Sequence, residues 1–417
     1  MAADLPVSPL APKKFPALKP IDNICLKALA SGSRYRGRDD VLLVSLPAGT
    51  KAAGVFTTSK MPSAAVDISR AHLRGGAARA LLVNAGNANA FTGKAGAKAA
   101  LATAVGAAKK IGCAPQDVLI ASTGVIGEAL DAAPILRALD SADIADGDDW
   151  QTAARAIMTT DTFPKAASRT ATFGKHKVTL NAIVKGSGMI APDMATMLAF
   201  IFTDAALPPG VMQKLLSAAN AQSFNCVTVD SDTSTSDTCL MFATGAKKLG
   251  GAPLRAASDK RLVPFRKALV SLMQDLAVQL ASDGEGISKL MSIEVSGAEN
   301  DAAARRIALA IGNSPLVKTA IAGGDANWGR IVMAVGKSGE KAERDRLAIS
   351  IGGVKVARAG RVVPGYKEAP VTRHMRGKQI SIAVHVGANG GKGKGKARVW
   401  ASDLTHGYID INADYRS

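Results

Sequence analysis

ALLVNAGNANAFTG, residues 80–93, opens with a continuous apolar run, breaks into an Asn/Gly-rich segment, and hands over to an alanine-rich stretch over 95–111. Short apolar runs bounded by turn residues read as buried strands, and long alanine-rich stretches read as helices. Strand, polar loop and helix in succession are the unit of an α/β fold, and functional groups gather on such loops. The unit recurs. DVLIAS (117–122) predicts a short strand running into Thr123-Gly124-Val125-Ile126-Gly127, with a helix following over 128–139.

Working outward, VLLVSLPAGTKAAGVFTTSK (41–60) alternates strand-like runs with Gly and Pro turns, so the core begins near Ile21 and residues 1–20 form a flexible Pro-rich arm. A second half starts at MATMLAFIFTDA (194–205) and predicts helices over 209–221 and 260–281. It closes with the strands RLAISIGGVKVA (346–357) and ISIAVHVG (380–387). GGKGKGKAR (390–398) lies between two strand-like segments and reads as an exposed, solvated hairpin loop. No repeat of fixed period is present, which argues against solenoids and propellers.

The 417 residues are 47% hydrophobic and 21% charged, enough for a large core or two to three packed units. Aromatic residues make up only 4%, so the interior is built from Val, Ile, Leu and Ala on closely packed elements. That favours layered α/β packing over an aromatic-rich binding sandwich. The formal net charge of +18 would attract nucleic acid, anionic lipid or small anionic metabolites. Zinc-finger spacing, a basic zipper and an RNP-like strand are all missing, which argues against nucleic-acid binding as the main function.

Cys25, Cys113, Cys226 and Cys239 are scattered without a CxxC pair and read as buried free thiols. The first residues, MAADLPVSPLAPKKFP, are interrupted by Pro and charge, and no later run reaches the length of a membrane span, so a soluble cytoplasmic protein is expected. The five histidines show no HExxH-like spacing, and no catalytic metal is expected. VDSDTSTSD (229–237) invites a calcium reading but lacks the central glycine and terminal glutamate of an EF-hand loop. Turn-forming and capping roles are expected for its aspartates.

KGSGMIAPDMATML (185–198) joins a Gly-rich polar loop to an apolar strand through Ala195 and Thr196. Gly186 and Gly188 permit close approach or positive φ, Pro192 stiffens the chain, and Ala195 leaves the carbonyl before Thr196 sterically open. A threonine hydroxyl is a weak nucleophile unless a base takes its proton, and the threonine's own α-amine serves when the residue begins a chain. That amine has a reference pKa of roughly 7.7–8.0, so it is partly unprotonated near neutrality. On these residues alone a Gly-rich turn entering a buried strand is the commoner meaning, and STGVIG (122–127) is equally a helix N-cap and turn.

The same segment resembles the cleavage-site signature of the ornithine acetyltransferase family, glutamate N-acetyltransferases that process themselves before a threonine. GVFTTSK (54–60), VNAGNANAFTG (83–93), STGVIG (122–127), MTTDTFPK (158–165) and GGDANWGRI (323–331) agree with that family in order, from about residue 21 to the end. The resemblance implies a layered α/β sandwich of the ornithine acetyltransferase/aminopeptidase type, assembled from two autoproteolytic chains. These are an α chain 21–195, behind the arm 1–20, and a β chain 196–417, usually paired as an α2β2 heterotetramer.

By the same resemblance Ala195 and Thr196 flank the cleaved bond, Thr196 is the nucleophile, and Thr123 and Gly124 form the oxyanion hole. Thr159, Lys185, Glu285, Asn412 and Ser417 match positions that contact substrate, alongside Thr196. The implied reaction moves acetyl from N2-acetyl-L-ornithine to L-glutamate through acetyl-Thr196. It needs no cofactor; acetyl-CoA is a co-substrate for some family members, and its use here is left open. Phe91 and Ser402 stand where cysteine is common in the family, and Ile287 where alanine is more frequent. Two rival readings are a self-processed aminopeptidase on the related fold and a basic binding protein that keeps the fold without cleaving.

Overall fold

The computed structural model describes residues 6–191 and 197–413. Its first half forms β1 (Cys25–Leu29), β2 (Val41–Ser45), β3 (Lys51–Phe56), α1 (Ala64–His72), β4 (Ala80–Asn87), α2 (Gly93–Ile111), β5 (Val118–Val125), α3 (Ala133–Ser141), α4 (Trp150–Ala156), β6 (Lys165–Phe173) and β7 (His176–Lys185). The second half begins with β8 (Leu198–Ala205), α5 (Pro209–Asn220), β9 (Val227–Thr228), β10 (Thr238–Lys247), α6 (Val263–Ala281), β11 (Leu290–Ala298), α7 (Asp301–Gly312), α8 (Pro315–Gly323) and α9 (Trp328–Gly336). It ends with β12 (Ala348–Ile351), β13 (Val354–Arg358), β14 (Arg361–Val362), α10 (Glu368–Met375), β15 (Gln379–His385), β16 (Gly395–Ser402) and α11 (His406–Asn412).

Among the described residues these strands build three sheets, ordered β1-β2-β4-β5, β3-β10-β8-β7-β6 and β14-β13-β12-β15-β11-β16-β9. Alternation along each strand decides what each face meets. Leu43, Leu82 and Ile120 of the first sheet turn towards Ala100, Ala104 and Ala107 of α2, whose small side chains let helix and sheet approach closely. Leu42, Leu81, Val83 and Leu119 point the other way, onto Phe200, Phe202 and Phe242 of the second sheet. Phe202 and Phe242 stack with ring centroids 5.2 Å apart. The far face of the second sheet, with Ala199, Ile201 and Met241, joins α5, α6 and the third sheet in the largest core. Helices, sheet, sheet and helices lie in layers, as the strand-loop-helix units predict.

Several local expectations are corrected. Ser122 to Val125 continue strand β5, and the next helix starts only at Ala133, so STGVIG is no helix N-cap. GGKGKGKAR is not a hairpin: β15 and β16 both pair with β11, which lies between them, and residues from Gly395 onward already belong to β16. Two strands with turn residues between them look alike in sequence whether or not a third strand separates them in space. The proline-rich arm, where described, is seated on the body. Ser8 donates from its amide to Thr162 Oγ1 at 2.9 Å and from its hydroxyl to the Ser282 carbonyl at 2.6 Å. Proline removes helix and sheet from the arm without preventing docking. Cys226 and Cys239 are buried free thiols, while Cys25 and Cys113 are only half-buried.

Candidate active site

Sheet register brings distant motifs to one edge. Lys185, the last residue of β7, lies opposite Leu198 at the start of β8, and Leu198 in turn lies opposite Thr238 at the start of β10. Thr238 pairs with Phe56, which places Thr57 of GVFTTSK beside the same edge. The parallel pair β4 and β5 of the first sheet bring Thr123 and Gly124, with Ala88 just past β4, to a cavity of about 640 Å³ at that edge. Thr123, Gly124, Thr159, Lys185, Glu285 and Asn412 all line it. Ala195, Thr196 and Ser417 lie outside the described residues.

The Asn-rich loop braces itself and its neighbour. Asn84 Nδ2 donates to the Asn87 carbonyl at 2.9 Å, Asn87 Oδ1 accepts the Asn89 amide at 2.7 Å, and the Ala88 amide donates to the Val125 carbonyl at 3.0 Å. Gly124 sits against this loop at φ +129°, where a Cβ would fall 2.2 Å from the Gly86 carbonyl carbon. Only glycine permits that approach. Gly188 has a different reason: a Cβ there would lie 2.4 Å from Glu285 Oε2.

Lys185 is 2% exposed, and its Nζ donates to Thr159 Oγ1 at 2.8 Å and to Thr123 Oγ1 at 3.1 Å. Burial pulls its pKa below the usual lysine value, with the Asp161 carboxylate opposing that pull. In the same cavity, Asn412 Nδ2 on α11 donates to Glu285 Oε2 at 2.7 Å. The cavity therefore presents both a cation with two hydroxyls and a carboxylate steadied by an amide.

Behind Lys185 lies a buried ion cluster. Lys165 Nζ reaches Asp161 Oδ1 at 2.6 Å and Asp283 Oδ2 at 2.5 Å, with all three side chains fully buried. Asp161 also accepts the Gly186 amide at 2.6 Å and the Thr159 amide at 3.1 Å, and Asp283 accepts the Thr162 amide at 2.9 Å. Ser187 Oγ donates to the Asp283 carbonyl at 2.5 Å. The cluster thus ties the segments MTTDTFPK, KGSG and DGEG into one wall.

The profile of the ArgJ family matches residues 25–417. The chain belongs to the ArgJ family. It is 55% identical over 413 residues to the arginine biosynthesis bifunctional protein ArgJ of Agrobacterium fabrum, covering 99% of each chain. Identity to the protein of the same description in Gluconobacter oxydans is 54%, over 100% of this chain and 97% of that one. Among solved structures, argJ from Bacillus halodurans is 38% identical over 52% of this chain and 98% of its own, with a TM-score of 0.47. An ornithine acetyltransferase from Mycobacterium tuberculosis, complexed with ornithine, is 30% identical over 41% of this chain and 92% of its own, with a TM-score of 0.36. This ArgJ-family chain is an arginine-biosynthesis transferase.

Asp161, Lys165 and Asp283 were not assigned to the site from sequence. Asp161 and Lys165 share one motif at a spacing of four, but nothing local signals that Asp283 lies beside them. No helix among the described residues is long and apolar enough to cross a membrane.

Two expectations follow for this ArgJ-family chain. Gly124→Ala must displace either its own strand or the Gly86 backbone, and acetyl transfer should fall by roughly a hundredfold, the loss that a shift of about 1 Å in an active site typically causes. Steady-state rates beside a thermal melt would check this; an unchanged rate would mean the approach of Gly124 to Gly86 is dispensable. The second concerns acid. Burial alone would raise the Asp161 carboxyl, but Lys165 and Lys185 beside it bring it down to about 2. A carboxyl lowered by folding stabilises the folded state above its unfolded pKa and loses that contribution as pH falls through the folded value. Stability should therefore drop between about pH 4 and pH 2, and Asp161→Asn should flatten that limb of an acid titration followed by circular dichroism.

Proposed function

We propose that the chain cuts itself between Ala195 and Thr196 and then uses Thr196 to carry acetyl from N2-acetyl-L-ornithine to L-glutamate. In the first step the Thr196 hydroxyl attacks the Ala195 carbonyl carbon, the C–N bond breaks, and the hydroxyl proton passes to the new α-amine. Water then hydrolyses the ester, leaving the Ala195 carboxylate and a free Thr196 hydroxyl. The products are chains 1–195 and 196–417. In the transfer cycle the α-amine is the base, acetyl moves to the Thr196 hydroxyl, ornithine leaves, and glutamate attacks the acetyl ester. Kinetics are ping-pong.

One observation carries this reading: a single cavity lined both by buried Lys185 with two threonine hydroxyls and by the Glu285–Asn412 pair. An amino acid presents a carboxylate to the first and an ammonium to the second. Thr123 and Gly124 form the oxyanion hole, while Thr159, Lys185, Glu285, Asn412 and Ser417 contact the substrate. The ornithine complex of the Mycobacterium tuberculosis relative supports ornithine as the leaving amino acid. No cofactor takes part. The bifunctional designation of the relatives supports acetyl-CoA as a second acetyl donor for making acetylglutamate afresh. The working assembly is an α2β2 heterotetramer in the cytoplasm.

Intact mass of the purified protein, followed by an assay of acetylornithine plus glutamate without acetyl-CoA, tests the proposal. Two fragments meeting at Ala195–Thr196 with release of ornithine are expected; an uncut chain without transfer would overturn it. Asn412→Ala should leave Glu285 without its amide partner and raise KM for the amino-acid substrates about tenfold, the worth of one hydrogen bond to a charged group. An unchanged KM would remove Asn412 from substrate binding.

A further inference from the structure

No residue of VDSDTSTSD is assigned a step in the transfer cycle, yet the segment runs beside the chain on both sides of the proposed cut. Upstream, the Val229 amide donates to the Ile190 carbonyl at 2.7 Å. Downstream, the Thr238 amide donates to the Met197 carbonyl at 3.1 Å. Two aspartates add grips at the same places. Asp230 accepts the Met189 amide at 2.5 Å on Oδ2 and the Ile190 amide at 2.8 Å on Oδ1. Asp237, fully buried, accepts the Met197 amide at 2.8 Å.

The upstream grip falls where the backbone needs it, because Met189 is held at φ +56°. A non-glycine residue in that region is strained and persists only when its surroundings enforce it. Downstream, the Met197 amide nitrogen is bonded directly to the Thr196 carbonyl carbon, so fixing it fixes one end of the peptide unit that follows the nucleophile. The segment is itself anchored to GVFTTSK. Thr57 donates from its amide to the Asp237 carbonyl at 3.0 Å and from its hydroxyl to the Ser234 carbonyl at 2.6 Å, and the Ser63 amide donates to the Thr235 carbonyl at 2.8 Å. Thr233, Ser234, Thr235 and Ser236 form the cavity wall between the two aspartates.

We propose that residues 229–238 are a rail for self-cleavage, with Asp230 and Asp237 as positioning residues that hold the two flanks of the Ala195–Thr196 bond at a fixed separation. This rests on the self-processing reading above. An intramolecular attack gains its rate from held geometry, and a displacement of about 1 Å costs on the order of a hundredfold. The two aspartates differ in what they supply. Asp230 needs both oxygens for two amides. Asp237 needs one acceptor, and burial pushes its carboxyl well above the usual range, so a neutral amide side chain reproduces it.

The test is the rate at which freshly translated full-length chain is cut, followed by pulse-chase and intact mass, with a thermal melt of each product. Asp230→Ala and Asp237→Ala should cut roughly a hundredfold more slowly, and Asp237→Asn should cut within about threefold of the unaltered chain because it keeps the same acceptor. Asp230→Asn, which retains one acceptor of two and is the milder change should an alanine variant fail to fold, should cut about tenfold more slowly. Alanine variants that cut at the unaltered rate, Asp230→Asn at that rate, or Asp237→Asn as slow as Asp237→Ala would overturn the rail. An unaltered chain that never cuts would overturn the self-processing reading and the rail with it, which separates the two failures.

Discussion

Thr196→Ala is expected to yield one uncut chain of 417 residues, with acetyl transfer lower by at least about four orders of magnitude, the scale seen when a nucleophile is deleted. In the proposed mechanism both effects come from one atom: the hydroxyl that attacks the Ala195 carbonyl is the same one that carries acetyl, and without the cut no α-amine exists to act as its base. Intact mass and the two-substrate assay on the same sample read both losses. Transfer that survives in the variant would sink the acetyl-threonine intermediate. Thr196→Ser separates chemistry from aim: it keeps the hydroxyl but lacks the β-methyl that restricts χ1, so it should cut and transfer, both more slowly.

The largest expected effect on stability is that of Lys165→Met. The lysine is fully buried between the carboxylates of Asp161 and Asp283, and methionine fills similar volume without the charge. Removing one partner from a buried ionic group leaves the others unpaired and typically costs about 3–5 kcal/mol. Here the damage should reach catalysis too, because Asp161 holds the Gly186 and Thr159 amides on either side of Lys185. Chemical denaturation of Lys165→Met, Asp161→Asn and the double variant gives a coupling energy. A double variant more stable than Lys165→Met alone is expected, since it leaves one buried carboxylate fewer without a cation. Strict additivity would mean that the pair is not coupled.

Much of the architecture was legible locally. The apolar run at 80–83, the alanine-rich helix behind it and the core of the second strand at 118–122 follow from periodicity and composition, because burying an apolar face is decided residue by residue along each element. Where two local signals compete, as at STGVIG, pairing with a neighbour decided. Thr123 and Gly124 stay in the strand because β4 lies parallel alongside them, with Gly86 opposite Gly124. The same limit explains the mistaken hairpin at 390–398, since sequence order is silent about the strand β11 that intervenes.

The sequence by itself determined the α/β class and the family, and through the family resemblance it singled out the side chains proposed for the chemistry. Only the tertiary structure decided which of those side chains share a cavity and what holds them there. Lys185 meets Thr123 and Thr159 across gaps of 62 and 26 residues, Lys165 meets Asp283 across 118, and Asp237 grips the Met197 amide across 40. Contacts of that kind depend on sheet register and on the burial of charge among partners far away in the chain. Neither leaves a periodic trace in the order of residues.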